Sequence, residues 1–98
     1  SVSAFLSKTF DIFSNPQFQA EGICGWSAKG DAVIIHNLRD FSDRVLPQYF
    51  KHGNFQSFVR QLNMYNFKKT VADPTNGEFK HPLFRRGMRH VLHLIKRK

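Results

Sequence analysis

Asn54-Phe55-Gln56-Ser57-Phe58-Val59-Arg60-Gln61-Leu62-Asn63-Met64-Tyr65 is the stretch on which the reading of this chain turns. At about 100° per residue, Phe55, Phe58, Val59, Leu62 and Tyr65 fall on one side of a helix. Ser57, Arg60 and Met64 point the opposite way, flanked by Gln56, Gln61 and Asn63. That outward face carries one arginine, several amide and hydroxyl groups and no acid. A merely solvated helix mixes lysine with glutamate. Arginine and amides are the groups that read base edges in a DNA major groove, so the expectation is a recognition helix held by the rest of the chain.

The remainder is large enough to hold it. Ninety-eight residues make one domain with a single modest core, and 41% hydrophobic content argues against a disordered basic tail. No apolar run approaches the ~20 residues needed to span a bilayer, and the first residues do not read as a signal peptide. The start at Ser1 and the end at Lys96-Arg97-Lys98 read as a fragment of a longer protein. The single cysteine, Cys24, permits no internal disulfide and no cysteine-based zinc site, which fits a reducing compartment.

Charge is distributed unevenly. Residues 1–43 carry a net −2, whereas residues 44–98 carry +10 of the overall +8 balance. A positive field confined to one half favours a polyanion, either nucleic acid or an anionic membrane surface.

Outward from the recognition stretch, the elements follow from local signals. Ser3 caps a helix over about Ala4–Ser14, stopped by Asn15-Pro16, and residues 15–22 read as a loop. Ile23–Trp26 and Ala32–His36 form a hairpin about Ser27–Asp31, with Gly25 marking a bulge. Asn37 caps a second helix that buries Leu38, Phe41, Val45 and Leu46, and Pro47 ends or kinks it. Asn54 caps the third. Phe67–Val71 and Glu78–His81 read as strands around the turn Asp73-Pro74-Thr75-Asn76-Gly77. Two helices, a third, then a hairpin is the order of a winged helix-turn-helix, with its wing at Val71 to Glu78. Arg86–Lys98 reads as an amphipathic helix with Met88, Val91, Leu92 and Ile95 on its apolar side. Phe10, Phe13, Trp26, Phe41, Phe50, Phe58 and Tyr65 are assigned to the core, because the strands offer no aromatic platform for single-stranded nucleic acid.

Val45-Leu46-Pro47, Tyr49-Phe50-Lys51-His52 and above all the nine-residue block Ser57–Tyr65 closely resemble the DNA-binding domains of the heat-shock-factor family. Ala4-Phe5-Leu6 with Lys8, Trp26-Ser27 with Gly30, Phe79, Phe84, Arg86-Gly87 and Ile95-Lys96-Arg97-Lys98 extend the likeness over nearly the whole chain. The resemblance implies an α+β winged helix-turn-helix, a three-helix bundle packed on a small four-stranded antiparallel sheet. It implies a nuclear transcription factor that binds double-stranded DNA at inverted nGAAn repeats, as a homo-oligomer, usually a trimer, in the full-length protein. Arg60 corresponds to the family's guanine-reading arginine. Lys51, Ser57, Asn63 and Lys69 correspond to residues near phosphates or bases through water, and Arg97 approaches the backbone; His52 and Gln61 join them as candidate contacts. Departures mark a divergent member: Gly53 for a usual Asn or Ser, which loosens the turn before the helix; Asn66 for a common glycine; Gln48 for a frequent lysine; and a short wing.

Other chemistries find little footing. His90 and His93 lie three apart on the last segment, but no Cys or acid is close in sequence, so no metal and no cofactor are expected. No nucleophile motif, metalloprotease motif or P-loop is present, and no enzymatic activity is expected. Without a sustained heptad run, the isolated domain should be mainly monomeric. The rival reading is a membrane-surface or protein-interaction module built on the basic segment Arg85–Lys98.

Overall fold

The computed structural model describes residues 1–70 and 77–98. Helix α1 spans Ala4–Phe13, and Ser3 accepts the Leu6 N–H as its cap. Its inward side chains, Leu6, Phe10, Ile12 and Phe13, lie against the sheet and the remaining helices. The stretch read as a loop contains a short helix, α2 (Pro16–Ala20). Asn15 accepts from the Gln17 and Phe18 N–H groups and Pro16 occupies the first turn. The signal taken as a stop for α1 was equally the start of the next helix, since proline is favoured where an N–H has no partner anyway. Arg44 reaches back to Glu21 at 2.7 Å. That guanidinium, with the Gln17 amide, holds the Glu21 carboxyl below its ordinary range.

Strands β1 (Cys24–Trp26), β2 (Val33–Ile35), β3 (Lys68–Lys69) and β4 (Gly77–Lys80) form one sheet in the order β1-β2-β4-β3, antiparallel throughout. Gly25 pairs with Ile34 in unbroken register, so there is no bulge. The bare backbone of Gly25 is where the Gln19 side chain rests: an added Cβ would lie 1.9 Å from its terminal oxygen and would displace that flexible, exposed amide. The Trp26 ring packs edge-on against Phe10, and its N–H donates to the Ser14 hydroxyl at 3.1 Å. β3 is shorter than the run Phe67–Val71 that the alternation suggested. Phe67 belongs to the helix end instead, and Val71 and most of the expected wing lie outside the described residues.

The second helix of the bundle is composite. Helix α3 (Leu38–Asp40) runs through a π turn over Phe41–Val45 into α4 (Leu46–Tyr49). Pro47 does not end it. The Leu46 N–H donates to the Phe41 carbonyl, five residues back, and this widened turn relieves the clash that a proline ring makes with the preceding turn. Phe41, Val45 and Leu46 are buried as expected, but Leu38 is 51% exposed because it stands on the first turn, ahead of the packed segment. Gly53 does not simply loosen the connector. An added Cβ would lie 2.6 Å from the Ser42 carbonyl oxygen, so its bare backbone lets the connector approach the π turn.

Helix α5 (Phe55–Met64) ends in a Schellman motif. The Asn66 N–H donates to the Asn63 carbonyl and the Phe67 N–H to the Leu62 carbonyl, both at 3.0 Å, with Leu62 and Phe67 packed in the core. Asn66 has φ 67°, the left-handed conformation that glycine normally supplies. Asn66→Ala is therefore expected to cost about 1 kcal/mol, whereas Asn66→Gly should cost nothing. Urea unfolding of the two variants measures this; equal losses would contradict the backbone argument.

The expected closing amphipathic helix is instead a 3-10 segment over Arg89–Leu94. Only Leu92 and Ile95 reach full burial, three residues apart, and that is the 3-10 repeat. Ile95 is already extended, and the Lys98 N–H docks on the Met64 carbonyl at 2.8 Å. Leu92 and Ile95 are thus spent on the core, and the segment does not form the amphipathic α-helix on which the rival reading was built. No helix among the described residues is long and apolar enough to cross a membrane.

Candidate nucleic-acid interface

Helix α5 is positioned from beneath by aromatic packing. Phe58 is 1% exposed, and its ring lies 5.3 Å from Phe41 and 5.7 Å from Phe5. Asn54 caps the helix by accepting the Ser57 N–H at 3.0 Å. With Phe58, Leu62 and Tyr65 buried, the helical repeat turns Ser57, Arg60 and Met64 outward. Arg60 is exposed, as are Gln56 and Asn63 beside it. Of the outward face read from the sequence, Gln56, Arg60 and Asn63 are left uncovered, whereas Ser57, Gln61 and Met64 are half-buried.

One flank of α5 borders the sheet. A cleft of about 590 Å³ lies there, with Arg60, Asn63, Gln56 and Lys69 among its walls. Lys69 reaches this cleft because of strand alternation. It stands opposite Phe79, whereas Lys68 stands opposite Lys80, and residues directly opposite share a face of the sheet. Phe79 faces inward, so Lys69 is directed to the α5 side and Lys68 away from it. Gln56 joins the cleft although it was not among the site residues chosen from the sequence. Its position four before Arg60 on the same helix was the available signal.

The other flank holds His52 and Gln61, which border a second, smaller cleft. The His52 Nδ1 accepts the Asn54 N–H at 3.1 Å. That bond fixes the neutral tautomer with its proton on Nε2, leaving an N–H available as a donor. At the far end of the helix, the Arg97 guanidinium lies 3.6 Å from the Met64 sulfur. Lys51 sits exposed in the connector just ahead of Asn54 and borders neither cleft. Arg60, Asn63 and Lys69 are thus gathered in one place, His52 and Gln61 in a second, Arg97 at the helix end, and Ser57 and Lys51 near its start.

Among the described residues, the acids are engaged elsewhere. Asp11 pairs with Arg89, Glu21 and Asp40 with Arg44, Asp31 with Lys80 and Asp43 with Arg39. Glu78 accepts from the Thr70 hydroxyl at 2.7 Å. Among the described residues, Lys51, Arg60, Lys69 and Arg97 have no acidic partner. Their charge remains available to an external anion, and the local field is positive. Cys24 contributes no reactive group: it is buried, and desolvation pushes its thiol up to about 12.

A family model described as HSF-type DNA-binding matches residues 5–98. Heat shock factor protein 1 of Homo sapiens is 44% identical over 107 aligned positions, covering all of this chain and 20% of that protein. Heat stress transcription factor A-1e of Arabidopsis thaliana is 41% identical over 98 positions, again all of this chain and 20% of the relative. The chain spans about a fifth of the length of these relatives. Among solved structures, Chaetomium thermophilum Skn7 with SSRE DNA superposes with a TM-score of 0.90 at 37% identity, covering 98% of this chain and all of the other. The same protein with HSE DNA gives 0.89 at 38% identity, covering 97% of this chain and all of the other. A heat shock transcription factor/DNA complex gives 0.69 at 38% identity, covering 81% of this chain and 94% of the other.

Proposed function

The chain belongs to the HSF-type DNA-binding family, and on that premise we propose that it is the DNA-reading domain of a nuclear transcription factor. Helix α5 enters the major groove of double-stranded DNA, and Arg60 donates two parallel hydrogen bonds to the O6 and N7 of a guanine. Lys51, His52, Ser57, Gln61, Asn63, Lys69 and Arg97 surround it and bond to phosphates or, through water, to bases. These contacts set register and orientation; Arg60 specifies sequence. The observation that carries the reading is the placement of an exposed Arg60 at the centre of a helix face without acids, while Asp11, Glu21, Asp31, Asp40 and Asp43 are paired with cations outside α5. The solved relatives in complex with HSE DNA and with SSRE DNA support the class of ligand.

The site is an array of inverted nGAAn units, filled by a full-length homo-oligomer, a trimer, assembled through sequence outside this chain. The domain alone is mainly monomeric. A titration of the purified domain with labelled duplexes tests these statements together. Affinity should be highest for duplexes with inverted GAA units and should fall when the units are scrambled, with sedimentation of the DNA-free domain showing one species at monomer mass. Equal affinity for intact and scrambled duplexes would refute the sequence reading, and a stable trimer off DNA would refute the assembly reading.

A further inference from the structure

The smaller cleft beside α5, about 220 Å³, is walled by Lys8 of α1 together with Phe5, Phe50, Phe58, His52 and Gln61. The Lys8 ammonium is held over the Phe50 ring, 5.7 Å from its centroid, and the His52 imidazole stacks on that same ring at 6.0 Å and 14°. One aromatic ring therefore brings together two donors from segments more than forty positions apart. His52 offers its Nε2 N–H, because Nδ1 is occupied by the Asn54 N–H. Gln61 adds a side-chain amide on the same flank. None of the residues walling the cleft is acidic, and Asp11, one turn along α1 from Lys8, is engaged by Arg89.

We propose that Lys8 is a DNA-phosphate ligand, completing with His52 and Gln61 a three-donor anion seat that spans the first helix and the recognition helix. The seat rests on the reading of α5 as the groove-bound helix, and it extends the footprint to α1. A lysine that served only solubility would need no cleft shared with two further donors. The chemistry is that of a single phosphodiester: a point charge from the ammonium, and two directional N–H donors that orient the oxygens. Such a contact carries no base information, so it contributes affinity equally on every duplex and leaves the ranking of sequences unchanged.

The test combines Lys8→Gln, which keeps a long polar stem without charge, and Lys8→Arg, which keeps the charge. Each is titrated by fluorescence anisotropy against GAA-containing and scrambled duplexes between about 50 and 200 mM salt. Loss of one phosphate contact makes the slope of log K against log salt shallower by about 0.9. The wild type should then lose roughly threefold more affinity than Lys8→Gln across that range. Lys8→Arg should keep the steeper slope, and the ratio of GAA to scrambled affinity should match wild type in both variants. Replacing backbone phosphates one at a time by neutral methylphosphonates should reveal one position that weakens the wild type but not Lys8→Gln. An unchanged slope in Lys8→Gln, or methylphosphonate effects equal in the two proteins at every position, would overturn the seat. A wild type that fails to prefer GAA refutes the sequence reading by itself, and the slope comparison on scrambled duplex still decides the seat.

Discussion

Arg60→Ala is expected to erase the preference for GAA-containing duplex while leaving weak, salt-sensitive binding to any duplex in place. A well-aligned bidentate pair to guanine contributes roughly 1–3 kcal/mol of discrimination against the wrong base, or about 5- to 150-fold in relative affinity. Arg60 is exposed and has no acidic partner among the described residues, so its removal costs the fold little and the variant should melt with the wild type. Lysine at the same position keeps the charge but lacks the planar fork, so Arg60→Lys should restore general affinity without restoring the ranking. The surrounding cations behave in the opposite manner. Lys51→Ala, Lys69→Ala and Arg97→Ala should each weaken intact and scrambled duplexes alike and reduce the salt slope by about 0.9. Gel-shift titrations of these variants separate the two roles. An Arg60→Ala protein that still ranks GAA over scrambled DNA would end the assignment of Arg60 as the base reader.

The outward direction of Arg60 was legible in the sequence, because helical periodicity is a local property. Once Phe58, Leu62 and Tyr65 are taken as buried, the direction of Arg60 follows from geometry alone, and the structure places it there. The order of elements and the first hairpin followed from caps and turns in the same way. What local signals could not supply was competition between signals, or contacts between distant segments. Asn15-Pro16 is both an end and a beginning, and the short helix that begins there buries Phe18 in the core. Pro47 should interrupt a helix, yet a π turn upstream accommodates it. The periodicity of Met88, Val91, Leu92 and Ile95 suits an α-helix, but the Lys98 N–H is claimed by the Met64 carbonyl and the segment tightens into a 3-10 turn. In the site, Lys69 could be preferred to Lys68 on physical grounds only after the register of β3 on β4 was known. Lys8 could be joined to His52 only through Phe50.

Phe58→Ala should have the largest effect on stability, and it acts on DNA binding through the fold rather than through contact. Phe58 meets the rings of Phe5, Phe41, Phe50 and Phe55 at centroid distances of 5.3 to 6.4 Å. It is the point at which α1, the π turn, the connector and α5 converge. Truncating a buried phenylalanine removes its transfer free energy and leaves a void lined by side chains that relax only in part, a loss of about 3–5 kcal/mol. Domains of this size hold about 5–15 kcal/mol in total, so much of the stability would go. At about 4–8 °C of melting temperature per kcal/mol, the shift should exceed roughly 12 °C. Urea unfolding followed by the fluorescence of Trp26, buried in the same core, measures the loss directly. Binding should then decline in proportion to the folded fraction, on GAA and scrambled duplexes equally, and recover on cooling to a temperature where the variant is folded. A loss below about 1.5 kcal/mol would mean that the surrounding rings collapse into the space, and that α5 is held chiefly by Leu62, Tyr65 and its cap. Loss of sequence ranking in the fully folded variant would instead show that small displacements of α5 misalign the Arg60 fork, making the aromatic cluster a determinant of specificity as well as of stability.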